Sequence, residues 1–164
     1  MEEEMAKILQ KATESKKETK KFLDRIRRKP PKNLDNNVHN IHDEVFAETD
    51  CLECANCCRT TSPIFTTRDI ERISKFLRIK SQQFENLYLR VDEDRDYVLK
   101  KSPCAFLYED NTCMIYSVRP KACREYPHTD RKKFHQITGL TFRNTMICPA
   151  SYRIVQKLRE MVEN

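Results

Sequence analysis

Four cysteines fall within eight residues, in the run Cys51-Leu52-Glu53-Cys54-Ala55-Asn56-Cys57-Cys58. Disulfides inside such a run would close very small, strained loops and remove little chain entropy. A C-x2-C step instead lets one tight turn carry two thiolates to the same ion. Four further cysteines, Cys104, Cys113, Cys123 and Cys148, are separated by 8, 9 and 24 residues. That spacing lets them return from different parts of a fold. The chain opens Met1-Glu2-Glu3-Glu4 with no apolar h-region. No secretory signal is therefore expected, and the protein reads as cytoplasmic. Cytosolic thiols are kept reduced, which favours ligation over a disulfide framework.

Eight thiolates suffice for two tetrahedral zinc sites, for one zinc plus one iron–sulfur cluster, or for a sulfur-bridged binuclear centre. The C-x2-C-x2-C spacing with a remote Cys148-Pro149 echoes the ligand run of bacterial ferredoxins and favours an iron–sulfur cluster. The hydrophilic composition and the C-x2-C pairs on turns favour zinc. In an extended segment, Cys57 and Cys58 would point to opposite sides. They are then expected to serve two neighbouring centres, or to leave one reactive thiol. Arg119 and Arg124 flank Cys123, and Arg59 follows Cys58. Such cations offset thiolate charge and donate N–H···S bonds around a centre, a role expected first of Arg119 and Arg124.

Other chemistries are poorly served. The single glycine, Gly139, excludes the phosphate-cradling loops that need several glycines together. No run approaches the ~18 apolar residues of a membrane span, so no membrane partner is expected. His39, His42, His128, His135, Tyr116, Tyr126 and Glu125 are polar candidates near these motifs, and none forms a recognisable catalytic set. The enzyme question therefore stays open, with a redox or metal-dependent enzyme as the alternative to a chelating protein.

Residues 1–33 hold 11 Lys/Arg and 6 Asp/Glu, whereas residues 34–50 hold five acids and no base. Met5, Ile8, Ala12, Phe22 and Ile26 recur at helical spacing, which predicts a charged helix over Glu3–Arg28 ended by Pro30-Pro31. Its Glu and Lys are interleaved, and its one aromatic, Phe22, belongs to the apolar face rather than to the bases. This favours a solvated helix, packed through its apolar ends and open to a protein partner, over a nucleic-acid face. Further helices are expected from Asn36 or Asn37 to Glu48, and over Arg68–Leu77 behind a Thr66 or Thr67 cap. Others follow from Ser81, around Cys123, and from Pro149 onward. Buried stripes are expected at Ile70, Ile73, Phe76 and Leu77 and at Phe84, Leu87, Tyr88 and Leu89, while Tyr152, Ile154, Val155, Leu158 and Met161 are the apolar members of the final helix. Short strands are expected at Tyr97–Leu99, Cys104–Tyr108 and Cys113–Tyr116, and a hairpin over Phe134–Phe142. The fold class is α+β, mostly helical. It comprises an N-terminal charged helical extension, 1–49, and a small cysteine-rich domain with short β-hairpins, 50–164.

Taken in order, Cys51-x2-Cys54-x2-Cys57-Cys58, then Asp69-Ile70-x-Arg72-Ile73 and Pro103-Cys104-x-Phe106-Leu107 form one pattern. It ends in Cys113-x-Ile115-Tyr116-x2-Arg119-Pro120-x2-Cys123-Arg124-x-Tyr126-Pro127. This resembles the CxxCxxCC cysteine-cluster family, the YkgJ-type zinc- or iron-chelating domain, over roughly residues 50 to 150. The resemblance implies zinc or iron as cofactor, with an iron–sulfur cluster as one form, held by Cys51, Cys54, Cys57, Cys58, Cys104, Cys113 and Cys123. Cys148 joins them from the count and its Cys-Pro context. The family pattern carries Gly after the second cysteine, where this chain has Ala55.

Overall fold

The computed structural model describes residues 2–164. In chain order the elements are α1 (Glu2–Glu14), α2 (Lys16–Arg28), α3 (Leu34–Ala47), α4 (Cys51–Cys54), α5 (Asn56–Thr60), α6 (Thr67–Leu77) and α7 (Ser81–Tyr88). Strands β1 (Leu89–Val91) and β2 (Tyr97–Leu99) follow, then α8 (Lys121–Glu125), α9 (Thr138–Thr145) and α10 (Pro149–Glu163). Two 3-10 turns cover Tyr116–Val118 and Phe134–Ile137. The chain forms two compact units, one of residues 1–54 with 127–164, the other of 55–126. Among the described residues, no helix is long and apolar enough to cross a membrane.

The first unit is helical. Its core gathers Phe22, Leu23 and Ile26 of α2, Val38 and Ile41 of α3, Phe134, and Ile154, Val155 and Leu158 of α10. The long N-terminal helix is interrupted at Ser15, whose hydroxyl donates to the Lys11 carbonyl (2.8 Å) and meets the Tyr152 hydroxyl (3.0 Å). Side-chain bonding back to the preceding turn competes with a regular helix and bends it. This stretch packs along its middle as well as its ends, because Ala12 and Thr19 are fully buried. The segment expected as a hairpin, Phe134–Phe142, is instead a 3-10 turn running into α9. Thr138 and Thr141 place their hydroxyls on the carbonyls of His135 and Ile137, and one Gly139 costs a helix only about 1 kcal/mol.

The second unit packs α6 and α7 against a two-stranded antiparallel sheet. Leu89 pairs with Leu99, Arg90 with Val98 and Val91 with Tyr97. Strand β1 begins where a continuing helix was expected. Helix α6 has a complete capping box, with the Thr66 hydroxyl accepting from the Asp69 N–H and the Asp69 carboxylate accepting from the Thr66 N–H. The core centres on Phe65, Phe84 and Phe106, with the Phe84 and Phe106 rings stacked at 6.0 Å. Phe76 and Leu87 are about half exposed, against their expected burial. Cys104–Tyr108 and Cys113–Tyr116 do not form strands. A single Leu107–Cys113 bridge joins them, because the turn closes on the Tyr108 N–H to Thr112 carbonyl bond (2.9 Å) and Tyr116 then starts a 3-10 turn.

Candidate metal centre

All eight cysteines are thiols rather than disulfides. In the unit 55–126, Cys58 lies in the short helix α5, not in an extended segment. Neighbouring helical positions differ by only about 100° around the axis, so Cys57 and Cys58 do not diverge as strand neighbours would. The Cys57 thiol donates to the Cys58 sulfur. With a smaller contribution from Arg59, that bond outweighs burial and lowers the Cys58 thiol to about 7.

Backbone contacts bring the later cysteines to the same place. The Cys104 N–H donates to the Cys58 carbonyl at 2.8 Å. Cys113 is paired with Leu107 across the turn, and Leu107 donates back to the Cys104 carbonyl at 3.1 Å. Cys123 sits in α8, which Pro120 starts. Burial pushes the Cys123 thiol up to about 12, and the charges of Cys58, Cys104 and Cys113 add to the shift. Burial also raises Cys104 and Cys113, each further raised by Cys58. Four thiols from three separated stretches of chain thus feel one another's charge.

Arg119 opposes this accumulation and lowers both Cys113 and Cys123. Its guanidinium stacks 4.0 Å from the centre of the Tyr116 ring and donates to the Tyr116 carbonyl at 2.7 Å. Arg124 is exposed on α8. Arg59 is bonded to the Asn111 side chain, and its carbonyl accepts from Ser102. Spacing alone did not reveal the Arg59–Asn111 link, which joins two turns that are 52 residues apart.

In the unit of residues 1–54 and 127–164, Cys51 and Cys54 occupy the single turn α4, which packs beside α1. Cys148 is the N-cap of α10, and its sulfur accepts from the Ser151 N–H at 3.4 Å. Burial pushes the Cys148 thiol up to about 12, with Cys51 and Cys54 adding to the rise. Among the described residues, no group of three or more His, Cys, Asp or Glu side chains stands ready to hold an ion. The thiols are gathered within electrostatic range, and the donor chemistry is that of zinc and iron sites.

Of the other polar candidates, Tyr116 lies beside the thiols, its N–H donating to the Cys113 carbonyl at 3.2 Å, and Glu125 shares α8 with Cys123. His39 bonds Asp130 at 2.7 Å, and His42 bonds the Thr129 hydroxyl at 2.8 Å and rests on Phe46. His135 lies in the 3-10 turn before α9, Glu125 pairs with Lys121 at 3.7 Å, and His128 adopts a left-handed backbone. Tyr116 is half exposed beneath Arg119. Residues 50–140 match the CxxCxxCC family, described as a "Putative zinc- or iron-chelating domain". Seven of the eight cysteines lie inside that match, and Cys148 lies beyond it. No solved structure matches the chain.

Proposed function

The chain belongs to the CxxCxxCC family, and from that premise we propose that it binds zinc through two separate groups of thiolates. The first is Cys58, Cys104, Cys113 and Cys123. The observation that carries it is the backbone meshwork within residues 55–126, where the Cys104 N–H donates to the Cys58 carbonyl at 2.8 Å and the Leu107–Cys113 bridge brings Cys113 back beside Cys104. Four sulfurs are the complement of a closed tetrahedral zinc site. Cys57 supports this group through its bond to Cys58. The second group is Cys51, Cys54 and Cys148, three thiols that leave one coordination position for a further ligand. Zinc is favoured over an iron–sulfur cluster because Cys51 and Cys54 form a C-x2-C pair on a single turn, the spacing common in structural zinc sites.

Bound zinc would hold the turns around Cys104 and Cys113 against α5 and α8. Arg119 would remain beside the thiolates as the cation that balances them, with Arg124 a more solvated second. Each buried thiol must shed its proton on ligation, so affinity rises with pH and binding releases protons. We place this chemistry in a reducing compartment, the cytoplasm, because thiols kept reduced there stay available to a metal.

Anaerobic purification followed by elemental analysis and a visible spectrum tests the reading. Colourless protein containing zinc is the expected result, and brown protein replaces zinc with an iron–sulfur cluster. Protein that takes up neither metal after reduction overturns it. Cys58→Ser and Cys148→Ser should each remove metal from a different group. A Cys58→Ser/Cys148→Ser double variant that loses no more metal than either single variant would reduce the two groups to one.

A further inference from the structure

We propose that the outward face of α2 binds the phosphate backbone of double-stranded nucleic acid without sequence preference. Helix α2 buries Thr19, Phe22, Leu23 and Ile26 along one side. Lys16, Lys17, Lys20, Lys21, Arg27 and Arg28 are all exposed. At 3.6 residues per turn these six fall within an arc of roughly 140° away from the buried side. The interleaved acids do not neutralise them in space. Glu18 lies outside the arc and pairs with Arg159 at 3.3 Å. Arg25, also outside it, is taken by Glu163. Asp24 is the one acid of α2 inside the arc. None of the six cations has an ion pair among the described residues.

The chemistry of this face selects its partner. Thirteen residues span about 20 Å, along which a duplex presents one negative charge per ~1.7 Å of axis. Insertion into a membrane surface would need the apolar side of the helix, which is already buried in the bundle. The face carries no aromatic residue on which a single strand could stack. Its exposed arc also holds no apolar side chain to anchor an acidic peptide. Charge without anchors suits the phosphate backbone, which positions a protein but does not specify sequence.

The test is fluorescence anisotropy with a labelled duplex of about 20 base pairs, two helical turns. Native protein should bind with a Kd of about 1–100 µM at physiological salt, with log K falling steeply against log salt. Lys17→Glu/Lys21→Glu/Arg28→Glu should weaken binding at least tenfold and flatten the salt slope by about 3. A control triple, Lys75→Glu/Lys80→Glu/Lys101→Glu, lowers the formal charge from +6 to zero just as the α2 triple does, at exposed sites in the other unit. It should retain most of the affinity. Far-UV circular dichroism checks that both triples keep their helices. Absence of duplex binding overturns the proposal. So does equal loss in both triples, or displacement of the duplex by polyglutamate at equal charge.

Discussion

The two units differ in what holds the backbone beside their cysteines. In the helical unit, Cys148 caps a 15-residue helix whose Ile154, Val155 and Leu158 are fully buried. Its position follows from apolar packing. In the unit 55–126, Cys104 and Cys113 lie in a stretch joined by one isolated bridge and a few turn bonds. Local stability follows buried apolar contact and backbone pairing, and this stretch has little of the second. Hydrophobic burial is enough to place the helices. On the proposed reading, the cysteine turns are held by ligation as well.

The sharpest way to break that contrast is to take the metal away. Structural zinc contributes on the order of 10 kcal/mol per site. Chelation should therefore release amide protection across residues 100–126 while α2, α3 and α10 stay protected. Hydrogen exchange read by mass spectrometry checks this, and uniform loss through both units would end the distinction. Phe134→Ala is the converse experiment. Phe134 is fully buried, and Asp35 accepts from its N–H at 3.0 Å and from that of Lys133 at 2.7 Å. Truncation should cost about 3–5 kcal/mol in thermal or urea unfolding, with the zinc of the Cys58 group retained.

A smaller effect is expected at Asp69, which ties α6 to the segment between Cys113 and Cys123. Its buried carboxylate accepts from the Thr66 N–H and hydroxyl, from Arg72 at 2.7 Å and from the Lys121 N–H at 3.1 Å. Arg72 also donates to the carbonyls of Val118 and Arg119. Asp69→Ala removes the acceptor of the Thr66 and Lys121 N–H groups together with the Arg72 ion pair and should cost about 3 kcal/mol, lowering metal retention with it. Burial raises the Asp69 carboxyl, but the bonds from Thr66, Arg72 and Lys121 outweigh it and hold the group below the usual range. The stabilisation is thus present above the unfolded pKa of about 3.9 and is lost as pH falls through the lower folded value. Asp69→Asn should flatten that acid limb of the stability profile.

Residues that act through local physics were legible in the sequence. The Thr66 cap, the Ile70 and Ile73 stripe and the Cys148-Pro149 helix start are short-range signals, and they stand as expected. Strand-like composition at Cys104–Tyr108 misled, because a strand needs a partner ladder and this turn supplies one bridge. Gly139 read as a hairpin glycine, whereas the buried Thr138 and Thr141 around it fix a helix. The division of the thiols was not legible beyond their spacing. It depends on chain returns such as the Cys104 N–H reaching the Cys58 carbonyl, which no local pattern encodes.

The finest test lies in the turn between α4 and α5. Ala55 adopts φ 46°, ψ 14°, a left-handed backbone, and is 3% exposed. The one glycine of the chain does not adopt positive φ, so this conformation falls to an alanine. An L-residue there costs roughly 1–2 kcal/mol that glycine avoids. Against this, Ala55→Gly removes one buried methyl, worth about 0.8 kcal/mol, and loosens the unfolded chain. The balance predicts a gain below about 1 kcal/mol, read as a small rise in Tm with metal content unchanged. Ala55→Val adds a branched Cβ at the same φ and should destabilise. Were Ala55→Gly to lower Tm by several degrees, the buried methyl would outweigh the backbone, and packing would hold even the cysteine turn.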